Sequence, residues 1–494
     1  MSFIILRVRL AAIALLFFTT AIASSETLHS SDQATVNKEV PTTTSSPEAR
    51  KLFLQGRVAR ENWHLPEALD AWRAAVQKDP KFALAQVYVS FYTPDPKEEL
   101  SARSAAKRLA AGTTLGEQLL IRWFTGAKEG DFIPAIFAMN DLLAQYPNDK
   151  WLLFQAGRWL ILQRRWDKGI DLLQRALAID PDYTAALNQI GYAYASFTWQ
   201  FDKAYAVMEH YSKIKPQEPN PLDSWGEILR EGGEFEKSLE QYRKALALDP
   251  HFYSAQLGLA DTYAVMGQED RARTEYEKAI QQAINQRDQV SYLDQMALTY
   301  VREGKYDQAD QAYLKSAERA RQLGLFDMQA DAHRFMGMYQ PDIDKALAHL
   351  DEAAKILHEN RSIAAENMQL VLSRVLYIRV WRATRAGKID VAADAVEDLG
   401  KVANHSGSNL VRQNYQGAAG MLAIAQGKYS DAITHLEEED RFTHLISMEQ
   451  LALAYEKNGD RQQAKELRAA LKRANFSNIE QALVTMPLRQ SAIH

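Results

Sequence analysis

Eleven histidines, 63 acidic residues and no cysteine are the reactive material in this 494-residue chain. The missing thiol removes disulfides, thiolate metal sites, iron–sulfur clusters and cysteine nucleophiles together. Zinc hydrolysis would ask for two histidines one helical turn apart around a glutamate, and no H-E-x-x-H occurs. His349 and His358 share a helical stretch but lie nine residues apart, too far to chelate one ion from one face, and both read as surface histidines. The run Glu437-Glu438-Glu439-Asp440 has the charge to hold a hard cation, yet reads more simply as a solvated helix end. No glycine-rich strand-to-helix turn cradles a nucleotide, and no G-x-S-x-G elbow presents a serine. The sequons Asn404-His405-Ser406 and Asn475-Phe476-Ser477 read as chance occurrences. The chain therefore reads as non-enzymatic, with no catalytic residue, metal or cofactor called for.

Function must then lie in binding, and composition narrows the partner. The chain is 47% apolar and 24% charged, which is globular, and its net charge of −5 leaves no cationic excess for neutralising phosphates. Nucleic acid is excluded as the main partner. Arg7 and Arg9 precede an uncharged apolar run from Leu10 to Ala23 that closes on Ala21-Ile22-Ala23, the pattern of a signal peptide cleaved before Ser24. The run is shorter than the roughly 20 residues a spanning helix needs. Its loss would take the net charge from −5 to −7 and leave no stable membrane insertion. These features predict an exported protein, periplasmic or secreted, with N-terminal anchoring as the alternative. Residues 24–48 hold eleven Ser or Thr in 25 positions with Pro41 and Pro47, a composition expected to stay a disordered tether.

From Ala49 the pattern changes to a helical period with small residues at fixed offsets. In a 34-residue frame, Gly56, Ala68, Trp72, Ala75 and Pro80 occupy positions 8, 20, 24, 27 and 32. The frame recurs from Lys150 (Gly157, Gly169, Leu173, Ala176, Pro181) and from Pro219 (Gly226, Gly233, Tyr242, Ala245, Pro250). Later copies carry Gly267, Ala272 and Tyr276, then Gly304, Ala309 and Tyr313, then Gly420, Gly427 and Ala432, then Gly459 and Ala464. Small residues at positions 8 and 20 let two helices approach, and a bulky one at 24 fills the space towards the next pair. Glycine at 15 turns the chain, and proline at 32 ends the second helix because it has no amide hydrogen to donate. The units read as helical hairpins stacked in a row.

This spacing resembles the tetratricopeptide repeat family over residues 49–475, and segments such as Leu65-Pro66-Glu67-Ala68-Leu69 are similar to the repeat tails of bacterial signalling kinases and transcription regulators. The resemblance implies an all-α, right-handed α-solenoid of about twelve hairpins, starting near residues 49, 83, 116, 150, 184, 219, 253, 290, 327, 373, 413 and 445. Three units depart from the pattern. The one near 83 turns at Thr93-Pro94-Asp95-Pro96, the one near 327 at Gln340-Pro341, and the one near 373 has a lengthened first helix within 362–386. Residues 476–494 are expected to supply a terminal capping helix, with Ile479, Ala482, Leu483 and Met486 on one face.

In that family the first helix of each unit lines a concave face, and its positions 2, 5, 9 and 12 are those left over from packing. Carried onto this sequence, the positions are Arg50, Phe53, Arg57 and Arg60, then Trp151, Phe154, Arg158 and Ile161. Further along come Asn188 and Tyr192, then Asn220, Asp223, Glu227 and Arg230, and finally Asp261. The face is expected to pass from basic and aromatic to acidic, as suits a protein or extended peptide held by aromatic anchors and charged selectors. Trp151 and Phe154 could equally pack against a neighbouring unit, and Arg57 and Arg60 could be solvated charges. The family's Lys/Asn clamp for a chain terminus is not reproduced, because Phe53 and Arg57 stand there. The resulting reading is a scaffold or adaptor of the cell envelope. The alternative is a carbohydrate-active or processing enzyme, or its regulatory subunit.

Overall fold

A computed structural model describes residues 39–490 except 63, 284 and 440–443. The signal-peptide stretch, most of the proposed tether and the last four residues lie outside it. All that follows belongs to one unit, residues 37–494.

The described residues form twelve consecutive helical hairpins. The first three pair Pro47–Glu61 with Leu65–Lys78, Ala83–Tyr92 with Pro96–Leu109, and Leu115–Glu129 with Phe132–Gln145. The fourth to sixth pair Lys150–Leu162 with Trp166–Ile179, Thr184–Tyr192 with Phe201–Ile214, and Pro219–Glu231 with Phe235–Leu248. Hairpins seven to nine pair Tyr253–Val265 with Glu269–Gln282, Gln286–Arg302 with Tyr306–Gln322, and Phe326–Tyr339 with Ile343–Glu359. The last three pair Ala365–Arg385 with Ile389–His405, Asn409–Ala425 with Tyr429–Glu438, and Leu445–Lys457 with Arg461–Leu471. No strand occurs among the described residues, and none of their helices is long and apolar enough to cross a membrane.

The packing logic of the frame is visible at single contacts. A methyl group on Gly56 would stand 2.4 Å from Trp72 Nε1, so the indole occupies the space the missing side chain leaves. That Nε1 donates to the Phe53 carbonyl at 3.2 Å, which satisfies the only polar atom of a fully buried ring. Tyr242 does the same work twice: a Cβ on Gly226 would lie 2.9 Å from its ring, and one on Gly258, in the next hairpin, 2.1 Å.

Where sequence expectation and structure differ, helix length and turn geometry explain it. Starts expected near 290, 373 and 413 fall inside helices that begin at Gln286, Ala365 and Asn409, because those first helices carry extra N-terminal turns and Ala365–Arg385 reaches 21 residues. The turn at Pro94 needs no left-handed residue, since Asp95 accepts from the Lys97 amide at 2.8 Å and opens the second helix directly. Asp342 caps the helix after Pro341 in the same way, accepting from the Asp344 and Lys345 amides. In hairpins three, six to eight and ten to twelve position 15 is left-handed glycine, from Gly130 to Gly459, but hairpin four places Arg164 there at φ 57° and hairpin five Trp199 at φ 52°. In hairpin five a π-helical turn at Ala193–Phe197 inserts one residue and moves the left-handed site from 198 to 199.

Both ends of the row are tied down. Residues 39–46, expected to belong to a free tether, are pinned across hairpins one, three and four. Val40 N donates to Asp149 at 2.9 Å, Thr43 donates twice to the buried Glu117 at 2.6 Å, and Thr44 Oγ1 donates to Asp79 at 2.6 Å. At the other end the chain turns back after Leu471 and lies against hairpins six, seven and eight, as well as hairpin twelve. Ile479 is buried as the capping-helix pattern requires. Ala482, Leu483 and Met486 are only half-buried, however, while Gln481, Val484 and Thr485 are enclosed. The π-helical turn at Gln481–Thr485 breaks the i, i+3, i+4, i+7 register and rotates a different face inward.

Substituting Gly258 by alanine should drive a methyl into the Tyr242 ring and cost about 1–3 kcal/mol. Urea unfolding followed by circular dichroism reads this as a lower midpoint with an unchanged native helical spectrum. An unchanged midpoint would contradict the close approach.

Candidate binding face of the first helices

Most of the side chains at positions 2, 5, 9 and 12 are engaged in contacts within the row. In hairpin one Arg50 is exposed, whereas Phe53 is buried between Phe82 and Tyr88 at ring distances of 5.0 and 4.9 Å. The Arg57 guanidinium lies 4.6 Å from the Trp151 ring centre, and Trp151 stacks on Tyr88 at 5.5 Å. Arg60 is buried over Tyr92 at 5.5 Å. Phe154 is fully buried and meets Tyr183 edge-on at 5.8 Å, and Ile161 is buried too. The expectation that these positions escape packing is thus corrected for Phe53, Arg60, Trp151, Phe154 and Ile161, and further along for Asn188 and Arg230, which are buried too. The cause is reach: hairpins one and four touch across the face, and Tyr183 at the start of hairpin five donates to Glu61 at 2.9 Å. Arg57 and Arg158 remain half-buried. Burial works against the Arg57 charge, but Tyr88, Asp149, Glu61 and Tyr183 outweigh it and raise the pKa. For Arg158, burial and the neighbouring Arg60 both lower it.

The acidic end is a carboxylate cluster built around one cation. Asn188 is buried and donates to Ser224 at 2.8 Å, joining hairpins five and six. Tyr192 donates to Glu227 at 2.8 Å, and Glu227 also accepts from Arg230 at 3.2 Å. Arg230 lies 3.7 Å from Asp261 of hairpin seven. Asp261 accepts from Tyr276 at 2.5 Å, and Asn220 donates to Tyr211 at 3.1 Å. Burial and the Glu227 charge push the Asp223 carboxyl well above its ordinary range. Glu231, one turn past Glu227, is raised to about 7 by burial and by Glu227, although Ser196 donates to it at 2.7 Å. Four carboxylates thus gather around Arg230 as their central counter-charge, and burial first, with the Glu227 charge second, raises the pKa of Asp223 and Glu231.

The segment after Leu471 lies on this acidic end. Asn475 Nδ2 donates to the Glu231 carbonyl at 3.1 Å, Ser477 Oγ donates to Asp261 at 2.9 Å, and Arg302 of hairpin eight bonds the Gln481 side chain and reaches the Asn478 carbonyl at 3.5 Å. Phe476 meets Trp199 at 6.0 Å. Asn475 is buried here, which takes the second sequon out of solvent.

Sequence reasoning missed a further polar cluster at a cavity of about 300 Å³. His444 Nε2 stands 3.3 Å from the Arg164 guanidinium, and burial together with Arg164, Arg374 and Arg334 drives the imidazole pKa well below 6.5. These residues come from hairpins four, nine, ten and twelve, so no local spacing announces them. The one available signal was Arg164 standing where the frame asks for glycine. Two surface readings are also corrected. His349 is half-buried with its Nδ1 3.3 Å from that of His333, and burial plus His349 lowers His333 to about 4. Glu439 is buried, 3.7 Å from His444, so the acidic run is not a uniformly solvated helix end, and Asp440 lies outside the described residues. His358 is exposed. Among the described residues no group of three or more metal-binding side chains converges.

Glu269, buried beside Arg302 with no hydrogen bond to either carboxylate oxygen, has its pKa raised to about 7 by burial, against the pull of Arg302. A carboxyl whose folded pKa exceeds its unfolded value stabilises the fold fully below the unfolded value and loses that contribution as pH rises through the folded one. Glu269→Gln should therefore raise the thermal midpoint at pH 8, with a smaller gain at pH 5. A gain independent of pH would refute the assignment.

A family model described as a TPR repeat matches residues 226–267, and one described as a tetratricopeptide repeat matches residues 290–323. A TPR repeat-containing protein of Pseudomonas aeruginosa is 32% identical over 124 residues, covering 24% of this chain and 21% of the relative. Superkiller protein 3 of Schizosaccharomyces pombe is 23% identical over 225 residues, covering 44% of this chain and 16% of that protein. The chain thus spans about a fifth or less of the length of these relatives. The crystal structure of yeast Tom70 superposes over 86% of this chain and 96% of its own at 14% identity, with a TM-score of 0.42. Residues 226–267 and 290–323 are thus matched as tetratricopeptide repeats, and the twelve stacked hairpins carry the same helix–turn–helix plan along the rest of the described residues.

Proposed function

We propose that the protein is an exported, non-enzymatic scaffold that holds a protein or extended peptide on the first-helix face of hairpins five to eight, as an adaptor or assembly factor of the cell envelope. The observation that carries this reading is the seat of residues 475–481. There the face already holds a stretch of polypeptide through a side-chain amide, a hydroxyl, a main-chain carbonyl and one aromatic contact. A partner segment would meet the same donors and acceptors, with Asp223 and Glu227 selecting positive charge and Arg57 and Arg158 selecting negative charge nearer the N-terminus. Export rests on Arg7, Arg9 and the apolar stretch ending at Ala23.

Glu227 is tied to Tyr192 and Arg230, so Asp223 is the cleaner handle on the acidic end. Asp223→Lys should weaken capture of the partner identified by crosslinking in the native host, and alter its salt dependence, with the helical spectrum intact. Capture at wild-type strength would remove the acidic end from the binding face. Intact-mass measurement of host-derived protein should give a chain beginning at Ser24. A full-length species extracted with the membrane would favour anchoring instead.

A further inference from the structure

We infer that a second docking site, separate from the first-helix face, lies in the groove where hairpins three and four meet hairpins ten and eleven, and that it takes an acidic partner segment bearing an aromatic or branched aliphatic side chain. The groove exists because distant parts of the chain are latched there. Asn409 Nδ2 donates to the Gln163 carbonyl at 3.0 Å, and Gly407 comes so close to Phe132 that a Cβ would stand 2.6 Å from the ring. The space enclosed is about 560 Å³, enough for one or two large side chains.

Its chemistry is divided between floor and rim. Phe132, Met139 and Trp159 line it with apolar surface, and Ile136 contributes a side chain that is 41% exposed. The same helix continues the apolar surface outward through Ile133 and Phe137, 71% and 66% exposed, so three large apolar side chains crowd one turn of a solvent-facing helix. Around the floor stand Arg165, Lys168 and Arg412, all exposed, and none of them forms an ion pair among the described residues. An apolar floor beside three cations without ion-pair partners among the described residues is complementary to a segment whose large side chain is flanked by carboxylates. The chain's own apolar stretch at 10–23 is the wrong match, because Arg7 and Arg9 would bring more positive charge to the rim.

Linear peptides displayed on phage and selected against the immobilised full-length protein provide the test. Selected sequences are synthesised with a fluorophore and titrated by anisotropy against wild type, Lys168→Glu/Arg412→Glu, Ile136→Ser and Asp223→Lys, each checked for an unchanged helical spectrum. The expected result is enrichment of Asp or Glu beside Phe, Trp, Leu or Ile, with affinity falling roughly tenfold or more in the rim and floor variants and holding in Asp223→Lys. Basic or patternless selections, or binding indifferent to the rim and floor variants, overturn the site. So does loss confined to Asp223→Lys, which would assign the peptides to the first-helix face and support the proposed function alone. Self-association abolished by Ile136→Ser, with no peptide bound, would give the groove to a second copy and equally overturn the proposal.

Discussion

The Tyr242 ring lies where two successive first helices both lack a side chain, at Gly226 and at Gly258, and the rest of the architecture follows from that kind of contact. A bulky residue on the second helix fills the space left by a small residue on its own partner and on the next hairpin, so each unit is completed only by its neighbour. Contacts between neighbouring hairpins set successive first helices side by side along the row and leave some of their positions free of the packing. Any chemistry the protein performs has to be written in those positions or in the places where the row meets itself.

The face is therefore a compromise between packing and display. At its basic end, Trp151, Phe154 and Arg60 are consumed by contacts between hairpins, and Arg57 keeps its charge because tyrosines and carboxylates surround it. At its acidic end, Arg230 sits among Asp223, Glu227, Glu231 and Asp261. Burial and the neighbouring Glu227 charge raise the pKa of Asp223 and Glu231 within that surplus of carboxylates, and residues 475–481 cover part of it. A stretch of the chain itself thus stands in for a peptide on the surface proposed to receive one.

Much of this was legible from spacing alone. Twelve hairpins follow from the recurrence of small, bulky and turn residues, and the irregular turns at Pro94 and Pro341 were marked by their prolines. The order of charge in the frame was legible too, since Arg57 and Arg158 precede Asp223 and Glu227. Burial was not, because position 9 of hairpin one meets position 2 of hairpin four only after the intervening hairpins have turned the chain. Nor was the π-helical turn that carries Trp199 to the left-handed site, or the contacts of Arg302 with residues nearly 180 positions later. Those depend on tertiary closure, for which a local repeat carries no signature. The two non-glycine residues at the turn position, Arg164 and Trp199, are the partial exception. Each sits in a strained backbone region and each reaches a later part of the chain, His444 and Phe476 respectively.

The most direct test of the central claim, that residues 475–481 and a partner compete for one face, uses the absence of native cysteine. Ser477 and Asp261 are replaced together by cysteine, the protein is oxidised, and the fraction carrying an intramolecular disulfide is measured by mass spectrometry alongside partner capture. Rapid intramolecular bonding, loss of capture in the oxidised protein and recovery on reduction are expected. Failure to form the bond, or capture that is equal in the locked and reduced states, would contradict that claim.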